Sequence, residues 1–130
     1  MSAPRLSAAV LYVVGDRVLL RLRDDRADLP YPNHWDLIGG AVEHGETIHE
    51  AALREIQEEI ALQGVGLEYF SNYPMGTINH VFVAPLSVPV ESLVLTEGQR
   101  LALVTEDEAQ TLALVPWVAQ LLREYFAARR

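Results

Sequence analysis

The sequence predicts an α+β fold in which a central mixed β-sheet carries helices on its faces. Three observations lead there. Half of the 130 residues are hydrophobic and fall in short runs broken by turn residues, as in a globular domain with a proper core. The strand-like runs form two groups separated by a strongly capped helix, so strict β-α-β alternation is absent. The C-terminal stretch carries an apolar stripe at helical spacing. The length suits a single domain, 1–130, and leaves little room for a second.

Leu6–Val14 and Val18–Leu22 are rich in Val, Leu and Tyr and flank Gly15-Asp16-Arg17, which reads as a β-hairpin. From Asp24 to His34 the prolines at 30 and 32 exclude a helix or a central strand, leaving a loop. Trp35–Ile38 is a short strand expected to end at Gly39-Gly40. Thr47 and Glu50 then make a capping box, each satisfying the other's free backbone N–H. Behind it Ile48, Ala51, Ala52, Ile56 and Ile60 share one helix face. Val65–Tyr73 and Asn79–Leu86 read as two strands around Pro74-Met75-Gly76, and Leu101–Val104 as another. Thr105 and Glu108 repeat the capping box before a short helix. Pro116 suits the first turn of a last helix, whose Trp117, Val118, Leu121, Leu122, Tyr125 and Phe126 are core candidates. The resulting order is β-β-β-α-β-β-β-α-α.

Composition narrows the chemistry. There are no cysteines, which excludes disulfides and thiolate metal sites, so any metal is held by oxygen or imidazole. That favours a hard ion such as magnesium, with manganese as a substitute. The net charge of −8 argues against binding a nucleic-acid polymer through its backbone. A small polyphosphate remains accessible to an acidic protein when divalent cations bridge the two. No apolar stretch approaches the roughly 18 residues of a membrane helix. The first residues read as a strand and turn rather than a signal peptide, so a cytoplasmic protein is expected.

The residues that carry chemistry lie on the first helix. Glu55 stands three residues before Glu58 and four before Glu59, which gathers three carboxylates on one side. Like charges at this spacing repel, and they sit at the negative end of the helix dipole. A positive partner must compensate, and hard oxygen ligands suggest magnesium. A solvated acidic face would explain an isolated EIQEE, and the surrounding residues decide against it.

Residues 39–62, GGAVEHGETIHEAALREIQEEIAL, resemble the Nudix box. Gly40, Glu46, Arg54, Glu55, Ile56, Glu58, Glu59 and Leu62 fall on eight of its nine defined places, and Ala61 stands where the family has glycine. The resemblance implies an α/β/α sandwich. It implies divalent ions held by Glu55, Glu58 and Glu59 with the backbone carbonyl of Gly39, and a loop braced at Gly40 by Glu46 and Arg54. Catalysis is then expected from Glu55, Glu58 and Arg54, with Glu97 as a further carboxylate in the turn-like TEGQ. Glu106, Asp107 and Glu108 are accounted for by a helix start. Tyr31, His34 and Trp35, with Tyr73, His80 and Phe82 on later strands, are aromatic candidates for stacking on a base or sugar. His44 and His49 lie off the defined places and are given no role.

The implied activity is magnesium-dependent hydrolysis of a phosphoanhydride in a nucleoside-diphosphate-type substrate. A nucleoside triphosphate, damaged ones included, cut to monophosphate and pyrophosphate comes first; nucleotide sugars and dinucleoside polyphosphates are the alternatives. A non-catalytic nucleotide-sensing module would be expected to lose box carboxylates, and none is lost here. A calcium-binding helix lacks the oxygen-rich loop that an EF-hand needs. The partner is a small nucleotide, and a homodimer is left open. At Ala61 the helix is expected to continue with negative φ and to end nearer Gly64.

Overall fold

The computed structural model describes residues 3–130. Its framework is a seven-stranded mixed sheet. β1 (Leu6–Val14) and β2 (Arg17–Leu22) form the expected hairpin, but they pair only at its closed end, Val13 with Val18 and Val14 with Arg17. Beyond that point the two strands part. β3 (Trp35–Asp36) joins β2, and β4 (Ile38–Ala41) runs antiparallel to β1 from Val10 back to Ser7. One extended run thus crosses from β2 to β1 and fills the split between them. Gly39 and Gly40 belong to that strand and do not end it, which corrects the sequence reading.

On its other edge β1 pairs in parallel with β6 (Thr77–Pro85), which pairs antiparallel with β5 (Glu68–Met75). The β5–β6 turn is tighter than the Pro74-Met75-Gly76 expected, since only Gly76 lies outside both strands. β7 (Arg100–Thr105) pairs along the whole of β2.

Strand alternation divides the core into two layers. Ala8, Val10 and Tyr12 of β1 face α1 (Ile48–Ile60), joining its buried Ala51, Ala52, Ile56 and Ile60. Ala9 and Leu11 face the opposite way, toward Val118, Leu121, Leu122, Tyr125 and Phe126 of α3 (Pro116–Ala128). The α+β sandwich therefore follows from period two in the strands meeting period 3.6 in the helices. The short α2 (Glu106–Ala109) closes the second layer behind its Thr105–Glu108 capping box. Among the described residues no helix is long and apolar enough to cross a membrane.

The first helix departs from expectation at its end. α1 stops at Ile60, and Ala61 takes the left-handed cap at φ 51°, its N–H donating to the Gln57 carbonyl. Leu62 does not extend the helix, and Gly64 is not its cap. The turn is enforced from outside, because the next segment is tied to the helix end: Val94 N–H donates to the Ile60 carbonyl and Thr96 N–H to that of Glu59.

Candidate functional site

Arg54 organises the outer face of α1. Its Nε and Nη2 donate to the two oxygens of Glu46 at 2.7 and 2.9 Å, and Nη2 also reaches the Ala41 carbonyl at 3.0 Å. The loop between β4 and α1 is thereby clamped onto the helix. The paired guanidinium, with the Glu43 N–H, holds the Glu46 carboxyl at about 2, well below its usual 4.5, and the pairing raises Arg54 in turn. Nη1 of the same arginine touches Glu55 at 3.0 Å and Glu58 at 3.2 Å. Glu55 is the deeper of these two, and burial pushes its carboxyl up despite the nearby arginine. The charges of Glu58 and Glu97 push the same way. Gly40 lets this carboxylate lie against β4, since a β-carbon there would meet Glu55 Oε1 at 2.5 Å.

Glu59 lies apart from that set. It is 2% exposed, accepts the Gly39 N–H at 3.0 Å and pairs with the buried guanidinium of Arg21. Arg21 also donates to both oxygens of Asp36, at 3.2 and 3.3 Å, and Arg23 reaches Asp36 at 3.0 Å. Two arginines and two acids form a closed, neutral group. Removing one partner from such a buried pair typically costs about 3–5 kcal/mol. Among the described residues no three acidic or histidine side chains converge on one point suited to a metal. The expected triad is divided between two arginines.

Glu97 lies on the strap that follows Thr96, whose hydroxyl donates to the Glu58 carbonyl at 2.6 Å. Its charge is felt at Glu55. A cleft of about 420 Å³ lies along β4, where Arg5, Arg21 and Arg23 meet Asp36, Gly40 and Asn79; Gly40, which touches Glu55, lines it, whereas Glu55, Glu58, Glu59 and Glu97 do not. Arg21 and Arg23 are already paired with Glu59 and Asp36, so Arg5 contributes the unneutralised positive charge of this cleft among the described residues. A hollow of similar size, about 450 Å³, lies between α2 and α3, away from β4 and the start of the box.

None of the six aromatic candidates lines the cleft. Trp35 is buried in the α3 layer under the guanidinium of Arg100. Tyr31 and His34 meet edge to face in the loop, with His34 Nδ1 at 2.9 Å from the Pro32 carbonyl. Tyr73 faces α3, stacking on Trp117 and donating to Glu124 at 2.8 Å, whereas Phe82 is buried against α1. His80 sits with the Tyr69 hydroxyl at 2.8 Å. A bulge between Tyr69 and Ser71 explains the division: it shifts the register, so Tyr73 no longer shares a face with Tyr69. The residues that the sequence reading missed are Arg21, Arg23 and Asn79. A charged residue in the middle of Leu19-Leu20-Arg21-Leu22 was their one visible signal.

The description "NUDIX domain" matches this chain over residues 3–125. The chain belongs to the Nudix family.

Its relatives include the nucleoside triphosphatase NudI of Escherichia coli, 47% identical over 49 residues, 38% of this chain and 33% of that protein. The NAD-capped RNA hydrolase NudC of Photobacterium profundum is 30% identical over 88 residues, 65% of this chain and 31% of that protein. The matches thus span about a third of the length of these curated relatives. Among solved structures, the E. coli ORF135 protein superimposes with a TM-score of 0.76 at 25% identity, over 96% of this chain and 90% of that one.

In this Nudix chain carboxylates outnumber the positive charges around them at one place. Glu43, Glu46, Glu55 and Glu58 surround a single guanidinium, that of Arg54, and the charge of Glu97 is felt at Glu55. The excess negative charge is concentrated on Glu55 and its neighbours, where carboxylate oxygens are what magnesium or manganese takes. Glu59, already neutralised by Arg21, adds nothing to that excess.

Proposed function

We propose that the chain is a metal-dependent Nudix pyrophosphohydrolase that cleaves a nucleoside triphosphate to a monophosphate and pyrophosphate. The observation that carries this reading is the half-buried Glu55, which shares Arg54 with Glu46 and Glu58 and lies against Gly40, a residue of the neighbouring cleft. The relative named as a nucleoside triphosphatase favours the triphosphate over nucleotide sugars and dinucleoside polyphosphates. The protein acts as one domain in the cytoplasm, on a small nucleotide.

Glu55 and Glu58 would hold the cation, magnesium first and manganese as a substitute, together with the Gly39 carbonyl. When bound, the cation neutralises the polyphosphate and lowers the pKa of water. Arg54 keeps both carboxylates aligned while clamped to Glu46. Arg5 draws the phosphates into the cleft. Glu97 stands beside Glu55, as a further ligand or as acceptor of the proton from the attacking water. In-line attack of that water on the α- or β-phosphorus then breaks the α–β phosphoanhydride, and the leaving group is pyrophosphate in the first case or the nucleoside monophosphate in the second.

The test is to incubate the protein with nucleoside triphosphates, nucleotide sugars and dinucleoside polyphosphates plus magnesium, and to identify products by anion-exchange chromatography. The reading expects pyrophosphate and a monophosphate from at least one triphosphate. Release of orthophosphate alone, or cleavage confined to the other two classes, contradicts it.

A further inference from the structure

We propose that Gln99 is a positioning residue: its side chain clamps segment 24–34 to the sheet as the outer wall of the cleft along β4, and that wall sets how tightly a nucleotide is captured. The inference rests on the nucleotide-cleaving reading above and leaves its metal ligands as they stand.

The segment does not hold its shape through its own chain. It lies between β2 and β3 and contains neither helix nor strand. Tyr31 and Asn33 both stand in the left-handed region, at φ 50° and 59°. Residues with a β-carbon disfavour that region, tyrosine more than asparagine. Two such residues within three positions persist only where the surroundings over-determine the backbone. Part of that constraint is a neck in which Arg23 N–H donates to the His34 carbonyl at 2.8 Å and Asn33 N–H to that of Asp24 at 3.2 Å.

Gln99 ties this neck to the sheet. It directly precedes β7, and its own N–H donates to the Leu22 carbonyl at the end of β2, at 2.8 Å. Its side-chain Nε2 donates to the Arg23 carbonyl and to Asn33 Oδ1, each at 2.8 Å. Both hydrogens of the amide are therefore committed to the neck, while the backbone belongs to the sheet. The effect reaches the cleft through Pro30 and Arg23, which both line it. Arg23 Nε donates to the Pro30 carbonyl at 3.0 Å, so a segment that loosens at Asn33 shifts the two together. Gln99 does not line the cleft; it acts through the segment and touches no reacting atom.

Amide hydrogen exchange of the whole chain, read by mass spectrometry, tests the clamp without measuring turnover. In Gln99→Ala, exchange within segment 24–34 is expected to rise at least about tenfold, while α1 and β6 keep their wild-type rates. Gln99→Glu, isosteric but without the two donors, is expected to do the same and takes its place if Gln99→Ala does not fold. Asn33→Asp, which keeps the acceptor, is expected to leave exchange unchanged. In steady-state hydrolysis of the best triphosphate, Gln99→Ala is expected to raise KM at least about fivefold and to hold kcat within about twofold. Unchanged exchange in the segment, or an equal rise in α1, overturns the inference, as does a loosened segment with KM unaltered or a loss confined to kcat. A wild-type protein that cleaves no triphosphate contradicts the proposed function, and the exchange result then decides on the clamp by itself.

Discussion

At Ala61 the family's glycine has been replaced while its backbone conformation has been kept. A left-handed alanine costs roughly 1 kcal/mol relative to glycine. The cost is borne because the strap ties the helix end down through Val94 and Thr96. Ala61→Gly is therefore expected to raise stability by about 1 kcal/mol, read as a higher thermal midpoint; an unchanged or lower midpoint contradicts the enforced turn. Glu46 makes a second prediction at this scale. Its folded pKa is depressed to about 2 from 4.5, so its contribution is present above the unfolded value and is lost as pH falls through the folded one. Urea unfolding between about pH 5 and pH 2 should show a pH slope that is shallower by up to one proton in Glu46→Gln. Equal slopes in the two proteins would show that the Arg54 clamp does not perturb Glu46.

Among the elements, those written locally in the sequence were the legible ones. The β1–β2 hairpin, both capping boxes and the proline start of α3 stand close to where residue chemistry puts them. Thr47→Ala, which removes a cap hydroxyl bonded to Glu50 N–H at 3.0 Å, should lower stability by about 1 kcal/mol in thermal unfolding. A loss below about 0.3 kcal/mol would mean that packing alone fixes the start of α1. What the sequence hid was long-range. Glycines that usually punctuate a strand lie inside β4, because β1 runs close beside them. The bulge in β5 turned Tyr73 away from Phe82, and no local signal marks it. The partner of Glu59 is an arginine on β2, so the division of the box carboxylates depends on strands that meet only in the fold.

For the whole molecule, the sheet places chemistry where its two layers part. The crossing of Trp35–Ala41 between β2 and β1 brings Asp36, Gly39 and Gly40 to one point, against α1 on one face and the arginine-lined cleft at the edge. The box itself was legible because its spacing is local to one loop and one helix. The cleft was not, because Arg5, Arg21 and Asn79 come from three separate strands or their ends. The central claim is that Glu55 is essential to metal-dependent phosphoanhydride cleavage. The most direct test is steady-state hydrolysis of the best triphosphate by wild type and Glu55→Gln at saturating magnesium. The account predicts that kcat falls at least about a hundredfold in Glu55→Gln with thermal stability retained, and that excess chelator abolishes wild-type turnover. Wild-type turnover that persists in chelator, or a Glu55→Gln enzyme within a few-fold of wild type, would contradict it.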